Sequence, residues 1–406
     1  MKDLYEIGEA IPDGVIPKKM YAFIVRPESH GEPLESFKQE VIDIPEIGHN
    51  EVLVKIMAAG INYNGVWSAL GKPYSPSSLH KHNFHIAGSD ASGIVWKIGD
   101  GLKSSSFSFK VGDPVIIHCG QYCGLCIECN GGDQMLCSRQ KIWGYETPYG
   151  SFAQFTKVQP QQLLHKPKHL TWAESSSYML VLATAWRMLH GYPPNHLRPS
   201  QNILIMGASG GLGSMAIQIV KNSGANAIAV VSNKEKGEYC MKLGAIGYID
   251  RNEFDCWGKL PNISDEENYK YYLVKLKRLA KTIWEITGNN NNPDIVFEHT
   301  GEETFPVSCY LAKKGGMVVY CGATSGFYLT MDASYGWMHQ KRIQGSHFAS
   351  TKDAYAANNE VINKKINPTL SKVFHWADLP KAHQIMYEKQ GILGKMSVLV
   401  QANNDT

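Results

Sequence analysis

The sequence predicts a two-domain α/β protein: a doubly wound parallel sheet beside a second, β-rich domain. Three observations predict it. A chain of 406 residues exceeds what one hydrophobic core usually supports. Its first part carries short alternating runs separated by turn residues, and its middle part repeats strand, turn, helix and strand.

The early runs are Tyr21-Ala22-Phe23-Ile24-Val25, Glu51-Val52-Leu53-Val54-Lys55-Ile56, Gly93-Ile94-Val95-Trp96 and Pro114-Val115-Ile116-Ile117-His118. Residues 1–20 lack this periodicity and read as an N-terminal arm. The middle part begins with Asn202-Ile203-Leu204-Ile205-Met206, an apolar run suited to a strand buried on both faces. A helix over 214–223, a strand at 227–231, a helix at 235–243 and a strand at 247–250 follow. The apolar stretches at 294–298 and 316–320 continue the series. Ahead of them, residues 254–292 are polar, with a helical stretch at 269–286 and a loop of four asparagines at 289–292. The boundaries expected are 1–175 with 346–406 for the β-rich domain and 176–345 for the parallel sheet.

Composition excludes several classes. A net charge of +3, with 43% hydrophobic and 19% charged residues, gives no basis for nucleic-acid or membrane binding. There is no run of ~18 or more apolar residues, and Met1-Lys2-Asp3-Leu4-Tyr5-Glu6 lacks an apolar signal core. A soluble, cytoplasmic protein is expected. Nine cysteines, odd in number and crowded between 119 and 137, suggest metal binding rather than a disulfide framework.

The turn Gly207-Ala208-Ser209-Gly210-Gly211-Leu212-Gly213 lies between a predicted strand and a predicted helix. Glycine permits the tight turn, the approach of backbone to a pyrophosphate and close helix–sheet packing. The helix N-terminus then presents free N–H groups to phosphate. A nicotinamide dinucleotide is therefore expected, and with it an oxidoreductase. The next strand ends in Val231-Ser232-Asn233-Lys234-Glu235-Lys236. An uncharged Ser232 flanked by lysines suits the 2′-phosphate of NADPH better than the bare ribose of NADH, with Glu235 directed to solvent. Thr184, Lys236 and Arg251 complete the candidate cofactor contacts.

Cys123, Cys126, Cys129 and Cys137 have the spacing C-x2-C-x2-C-x7-C on a loop containing Gly124, Gly131 and Gly132. Four such thiolates close a tetrahedral Zn2+ site with no open position, hence a structural one. The lobe spans about 119–140, and Cys119 has no assigned role.

With this lobe ahead of its glycine turn, the chain resembles the zinc-containing alcohol dehydrogenases of the medium-chain dehydrogenase/reductase superfamily. Their catalytic zinc ligands would fall in Gly60-Ile61-Asn62-Tyr63-Asn64 and at Gly88-Ser89-Asp90. Neither supplies thiolate or imidazole, so the expected hydride acceptor is a polarised C=C bond rather than a zinc-bound carbonyl. A closer resemblance runs from about 48 to 400. It is carried by Asn62-Tyr63-Asn64-x-Val66-Trp67, His85-Ile86-x-Gly88-Ser89-Asp90, Ile142-Trp143-Gly144-Tyr145-Glu146-Thr147, Val296-Phe297-Glu298-His299, Lys341-Arg342-Ile343-x-Gly345-Ser346-His347-Phe348-Ala349 and Pro368-Thr369-Leu370-Ser371-Lys372. These blocks are similar to the crotonyl-CoA carboxylase/reductases.

The resemblance implies a Rossmann domain plus a discontinuous GroES-like catalytic domain. It also implies NADPH-dependent reduction of an α,β-unsaturated acyl thioester, capture of CO2 by the resulting enolate, and a dimer or tetramer. The family's CO2-pocket positions fall on Asn64, Tyr145, Glu146 and His347, with Tyr145 where the family has Phe. Lys277 and Lys314 match basic positions at the CoA end, whereas an expected Arg falls at Ser334. Either CoA is gripped differently or the acyl group arrives on a carrier protein. Together with the cysteine lobe, which stands where the better-known crotonyl-CoA enzymes have a cysteine-free loop, this departure fits a specialised relative making branched malonyl units for polyketide assembly. Taken singly, His347 also reads as a core histidine, Asn64-Gly65 as a turn and Glu146 as a surface charge. Two other functions compete: an enoyl-thioester or quinone reductase that protonates the enolate, and a non-catalytic nucleotide-binding scaffold.

Overall fold

The computed structural model describes residues 2–103 and 107–402. It divides into two compact units, Met1–Leu180 with Ala349–Thr406, and Val181–Phe348.

In the first unit, a seven-stranded sheet has the order Leu370–Phe374, Lys395–Leu399, Val52–Ile61, Ala91–Ile98, Pro114–Ile117, Leu163–His165, and Phe155–Val158 also pairs with Val52–Ile61. The long strand Val52–Ile61 exchanges partners along its length. Val52 to Lys55 face Phe155–Val158, and Ala58 to Ile61 face Lys395–Leu399. Register shifts at Leu53/Val54 and Ile56/Ala58 permit this exchange, since a bulge bends its strand and sharpens the local twist. Asn62 follows this strand and Asp90 precedes its antiparallel neighbour Ala91–Ile98, so the two polar residues lie at the same end. Both are buried.

The predicted arm is packed rather than loose: Tyr5 and Ile11 are buried, and Gln154 Nε2 donates to the Tyr5 carbonyl at 3.1 Å.

The second unit holds a six-stranded parallel sheet in the order Gly247–Asp250, Asn226–Val231, Asn202–Ile205, Ile295–Glu298, Met317–Tyr320, Arg342–Gly345. Every pairing is parallel. Strand order reverses direction between Asn202–Ile205 and Ile295–Glu298, the switch point at which such sheets bind ligands. The edge strand Arg342–Gly345 is a finding the sequence did not signal. Its residues, Arg-Ile-Gln-Gly, form no apolar run: three are half-buried and Gly345 is exposed.

The helix predicted in the polar stretch runs Glu266–Thr287. Asp265 accepts from Asn268 N at 3.2 Å, Glu266 and Glu267 complement the positive end of the helix dipole, and Gly288 ends it in the left-handed conformation at φ 67°. Tyr272, Leu276, Leu279, Ala280 and Ile283 form its buried stripe against the sheet. Each large side chain among them contributes roughly 1.5–3 kcal/mol by leaving water.

Candidate functional site

In the second unit the strand Asn202–Ile205 runs into the glycine turn. Gly207 has φ 58°, and a Cβ there would lie 2.9 Å from His299 Cε1. The helix Gly211–Asn222 begins after Gly210. A Cβ on Gly213 would lie 2.6 Å from Ala208 Cα, so the helix approaches the turn closer than any side chain permits. Ser209 is buried, whereas Gly211 and Leu212 are partly open. Thr184 lies buried on the helix Met179–His190.

Register places the specificity residues together. Val231 pairs with Asp250, so Ser232 and Arg251 leave adjacent strands side by side. Lys236 Nζ donates to Ser232 Oγ at 2.8 Å, Asn252 Nδ2 donates to the Ser232 carbonyl at 2.5 Å, and Arg251 pairs with Glu303 at 3.4 Å. A hydroxyl beside Lys236, at a strand end next to that of Arg251, is chemically suited to a 2′-phosphate. Glu235 is exposed, as its helix-start position suggested.

Glu298 and His299 carry more structure than their motif indicated. The buried Glu298 carboxylate accepts from Thr300 N (2.7 Å), Gly301 N (3.2 Å), Thr304 Oγ1 (2.9 Å) and Ser308 Oγ (2.6 Å). Burial raises its pKa, against the pull of those donors. The chain leaving the switch-point strand is therefore held by one side chain. Burial also pushes His299 down to about 4, leaving a neutral ring beside Gly207.

In the first unit, Asn64 stands on the helix Tyr63–Leu70, and its amide lies 2.6 Å from Ser89 Oγ. Ser89 follows Gly88, whose φ is 99°. A Cβ on Gly144 would overlap the Gly88 carbonyl oxygen, so the Gly88-Ser89-Asp90 segment and the Gly144-Tyr145-Glu146 turn touch backbone to backbone. Asn64, Tyr145 and Glu146 are thus brought together through glycine–glycine contact. Gly144→Ala forces this contact apart at a positive φ of 75°, and a loss of ~2–3 kcal/mol is expected from overpacking and left-handed strain. A thermal midpoint equal to wild type would count against the contact.

Around this turn, Tyr145 Oη donates to the Lys72 carbonyl at 2.8 Å, which gives the extra hydroxyl a structural partner. Burial pushes its pKa up to about 12. Glu146 Oε2 accepts from Ile142 N at 2.6 Å, so this carboxylate braces its own turn. His347 lies in the second unit, exposed between buried Ser346 and Phe348 just after the strand Arg342–Gly345.

Beneath the Ser89 segment runs a buried polar chain. Asp90 accepts from Asn62 Nδ2 at 3.0 Å and from Leu180 N at 2.9 Å. Lys395 Nζ donates to Asn62 Oδ1 and, at 2.9 Å, to the Ile61 carbonyl. Sequence reading missed Lys395, because a lysine inside a strand signals neither burial nor a partner.

The four thiols of the cysteine lobe lie within 4.8 Å of one another. Cys123 and Cys129 sulfurs are 3.8 Å apart, and Cys126 and Cys129 are 3.5 Å apart. A Zn–S bond of ~2.3 Å implies tetrahedral edges of ~3.8 Å, so the donor set fits zinc. Leu125 N and Cys126 N both point at Cys123 Sγ at 3.4 Å. Cys119 is buried outside this group, its thiol pKa pushed well up by burial.

Lys277 is exposed on the helix Glu266–Thr287, and Lys314 is exposed after the helix Phe305–Leu311. At the position of the expected arginine, Ser334 Oγ donates to Asp332 at 2.6 Å, and Asp332 caps the helix Ala333–Met338 by accepting from Ser334 N at 2.8 Å.

Residues 48–168 match the alcohol dehydrogenase GroES-like domain family, and residues 211–363 match the zinc-binding dehydrogenase family. With the dinucleotide-type sheet and the cysteine lobe, these matches define the class: a medium-chain dehydrogenase/reductase. The chain is 56% identical to a crotonyl-CoA carboxylase/reductase of Cereibacter sphaeroides, over 99% of this chain and 92% of the relative. The solved structure of a crotonyl-CoA carboxylase/reductase matches with TM-score 0.95 and 55% identity, covering 100% of this chain and 94% of the other. The 2-octenoyl-CoA carboxylase reductase CinF, solved with NADP and 2-octenoyl-CoA, matches with TM-score 0.88 and 35% identity, covering 97% and 90%. The chain belongs to the crotonyl-CoA carboxylase/reductase family.

Proposed function

We propose that this protein reduces an α,β-unsaturated acyl-CoA with NADPH and carboxylates the product at Cα. Bound NADPH supplies hydride to Cβ of the enoyl thioester. The electron pair displaced from the C=C bond leaves a thioester enolate, whose Cα attacks the carbon of CO2. One C–C bond forms, no proton is taken up, and the product is an alkylmalonyl thioester. The glycine turn at 207–213, Thr184, Ser232, Lys236 and Arg251 hold the dinucleotide. Lys277 and Lys314 meet the CoA end.

Asn64 and His347 donate hydrogen bonds to the CO2 oxygens, and Tyr145 and Glu146 shape and close that pocket. Negative charge grows on those oxygens as the bond forms, so the donors bind the transition state more strongly than free CO2. The observation that carries this reading is the contact of the Ser89 segment with the Tyr145-Glu146 turn, which supports the grouping of three of the four side chains. Four cysteines, Cys123, Cys126, Cys129 and Cys137, hold a structural Zn2+ with no coordination position left for substrate. The active form is a homodimer or homotetramer acting in the cytoplasm, and its product serves as a polyketide extender unit.

The test is product mass analysis with crotonyl-CoA and longer 2-enoyl-CoAs, NADPH and saturating CO2. Ethylmalonyl-CoA is expected from crotonyl-CoA, whereas butyryl-CoA as the sole product would establish a plain reductase. His347→Asn is expected to lower the carboxylated-to-reduced ratio about 10- to 100-fold, below the ~100- to 1,000-fold of an oxyanion-type donor removed outright, because Asn still donates. An unchanged ratio would remove His347 from the CO2 pocket.

A further inference from the structure

The Asn64 amide presents a bookkeeping problem that its neighbour solves. With Nδ2 directed at Ser89 Oγ, 2.6 Å away, the amide oxygen is buried with no hydrogen-bond partner. Ser89, only 1% exposed, then has no acceptor for its own hydroxyl proton among the described residues. Two buried groups are left unsatisfied by one bond, an arrangement native interiors avoid. The two ends of a carboxamide have nearly the same shape, so the surrounding network decides which faces Ser89. Turning the amide over lets the Ser89 hydroxyl donate to Asn64 Oδ1, which satisfies both and leaves only the Nδ2 hydrogens without a protein partner. The separation agrees: 2.6 Å belongs to O–H···O bonds, which cluster near ~2.7–2.8 Å, rather than N–H···O bonds near ~2.9–3.0 Å.

We propose that Ser89 is a positioning residue for carboxylation: its hydroxyl fixes Asn64 Oδ1 and so directs the Nδ2 hydrogens at CO2. The proposal rests on the reading of Asn64 as a CO2 contact. Free Asn64 would present oxygen or nitrogen to the gas molecule, and an amide oxygen repels the partly negative CO2 oxygens. Ser89 removes that choice. The backbone on either side holds the hydroxyl still. A Cβ on Gly88 would overlap Ser151 Oγ, and the Asp90 carboxylate is tied to Leu180 N and Asn62. The pinned amide keeps its two N–H groups without a partner until substrate supplies one, which accounts for an unsatisfied polar group at this position.

The experiment measures the carboxylated-to-reduced product ratio and KM for CO2 with crotonyl-CoA and NADPH. Ser89→Ala is expected to lower the ratio and raise KM for CO2 by about five- to tenfold, the worth of one orienting hydrogen bond. Ser89→Cys, which keeps the volume but is a poor donor, should behave alike and substitutes for the alanine variant if that one does not fold. Ser89→Thr, which restores the hydroxyl, should recover the wild-type ratio, a rescue that loss of packing alone would not show. Asn64→Ala separates the two layers of the argument. If it shifts the ratio and neither Ser89→Ala nor Ser89→Cys does, the Ser89 proposal is overturned while Asn64 stands. If Asn64→Ala leaves the ratio unchanged, the CO2 reading of Asn64 falls and the Ser89 role falls with it. A double variant should be no worse than Asn64→Ala alone.

Discussion

Removing zinc is expected to unfold the segment around 119–140 while the seven-stranded sheet stays folded. The segment has almost no hydrophobic core of its own. Leu125, Ile127 and Leu136 are 82%, 75% and 68% exposed, and its regular structure is limited to the two-residue strands Gly120–Gln121 and Lys141–Ile142 and the short helix Gln134–Leu136. Four thiolates gathered within 4.8 Å repel one another without a cation. Structural Zn2+ binding is worth ~10–16 kcal/mol in small sites of this kind, far above anything else holding the segment. About one zinc per chain is expected by metal analysis. Cys126→Ser or a strong chelator should open the segment to limited proteolysis. Zinc-free protein with a protease-resistant lobe would refute the assignment.

Lys395→Met is expected to destabilise the first unit by ~3–5 kcal/mol near neutral pH, the usual result of stranding one member of a buried charge pair. Burial pushes Lys395 down to about 8, against the pull of Asp90. Burial pushes Asp90 up to about 6, with the Lys395 charge and the Asn62 bond opposing. Between these values both groups are charged, and Asn62 links them with its two amide ends.

The pH dependence follows from the direction of each shift. Lys395 has a folded value below its ordinary 10.5, so its contribution is present at alkaline pH and lost as pH falls through about 8. Asp90 has a folded value above its ordinary 3.8, so its contribution is present at acid pH and lost as pH rises through about 6. In the methionine variant Asp90 faces no cation, and its charge is relieved by protonation. The deficit should therefore be large at pH 7 and shrink at pH 5, as read from urea or thermal unfolding at both values. An equal deficit at the two pH values would show that lost packing, not charge, is responsible.

Much of the fold was legible because its signals are local. The parallel-sheet strands appear as short apolar runs since both their faces are covered, and the Gly207 turn announces itself because close approach of helix to strand excludes a Cβ. The helix Glu266–Thr287 showed through a polar stretch by its apolar stripe. The edge strand Arg342–Gly345 did not, since its half-buried residues form no apolar run to read. Among the site residues, Asn64, Tyr145, Glu146 and His347 entered through motif resemblance, which names positions but not partners. That Tyr145 Oη bonds Lys72, and that Glu146 braces Ile142, are facts of chain folding.

Sequence alone determined the class of fold, the dinucleotide turn and the set of four cysteines, because each depends on residues near one another along the chain. Through the family resemblance it also implied that neither residues 60–64 nor Gly88-Ser89-Asp90 supply a catalytic metal ligand, which favours an enoyl over a carbonyl acceptor. Only tertiary structure decided what fills that space: Lys395 arrives from residue 395 to meet Asn62, and Ser89 meets Asn64 across two elements. Hydrogen-bond partners far apart in sequence are set by how strands pair and where they bulge, and no local pattern encodes that geometry.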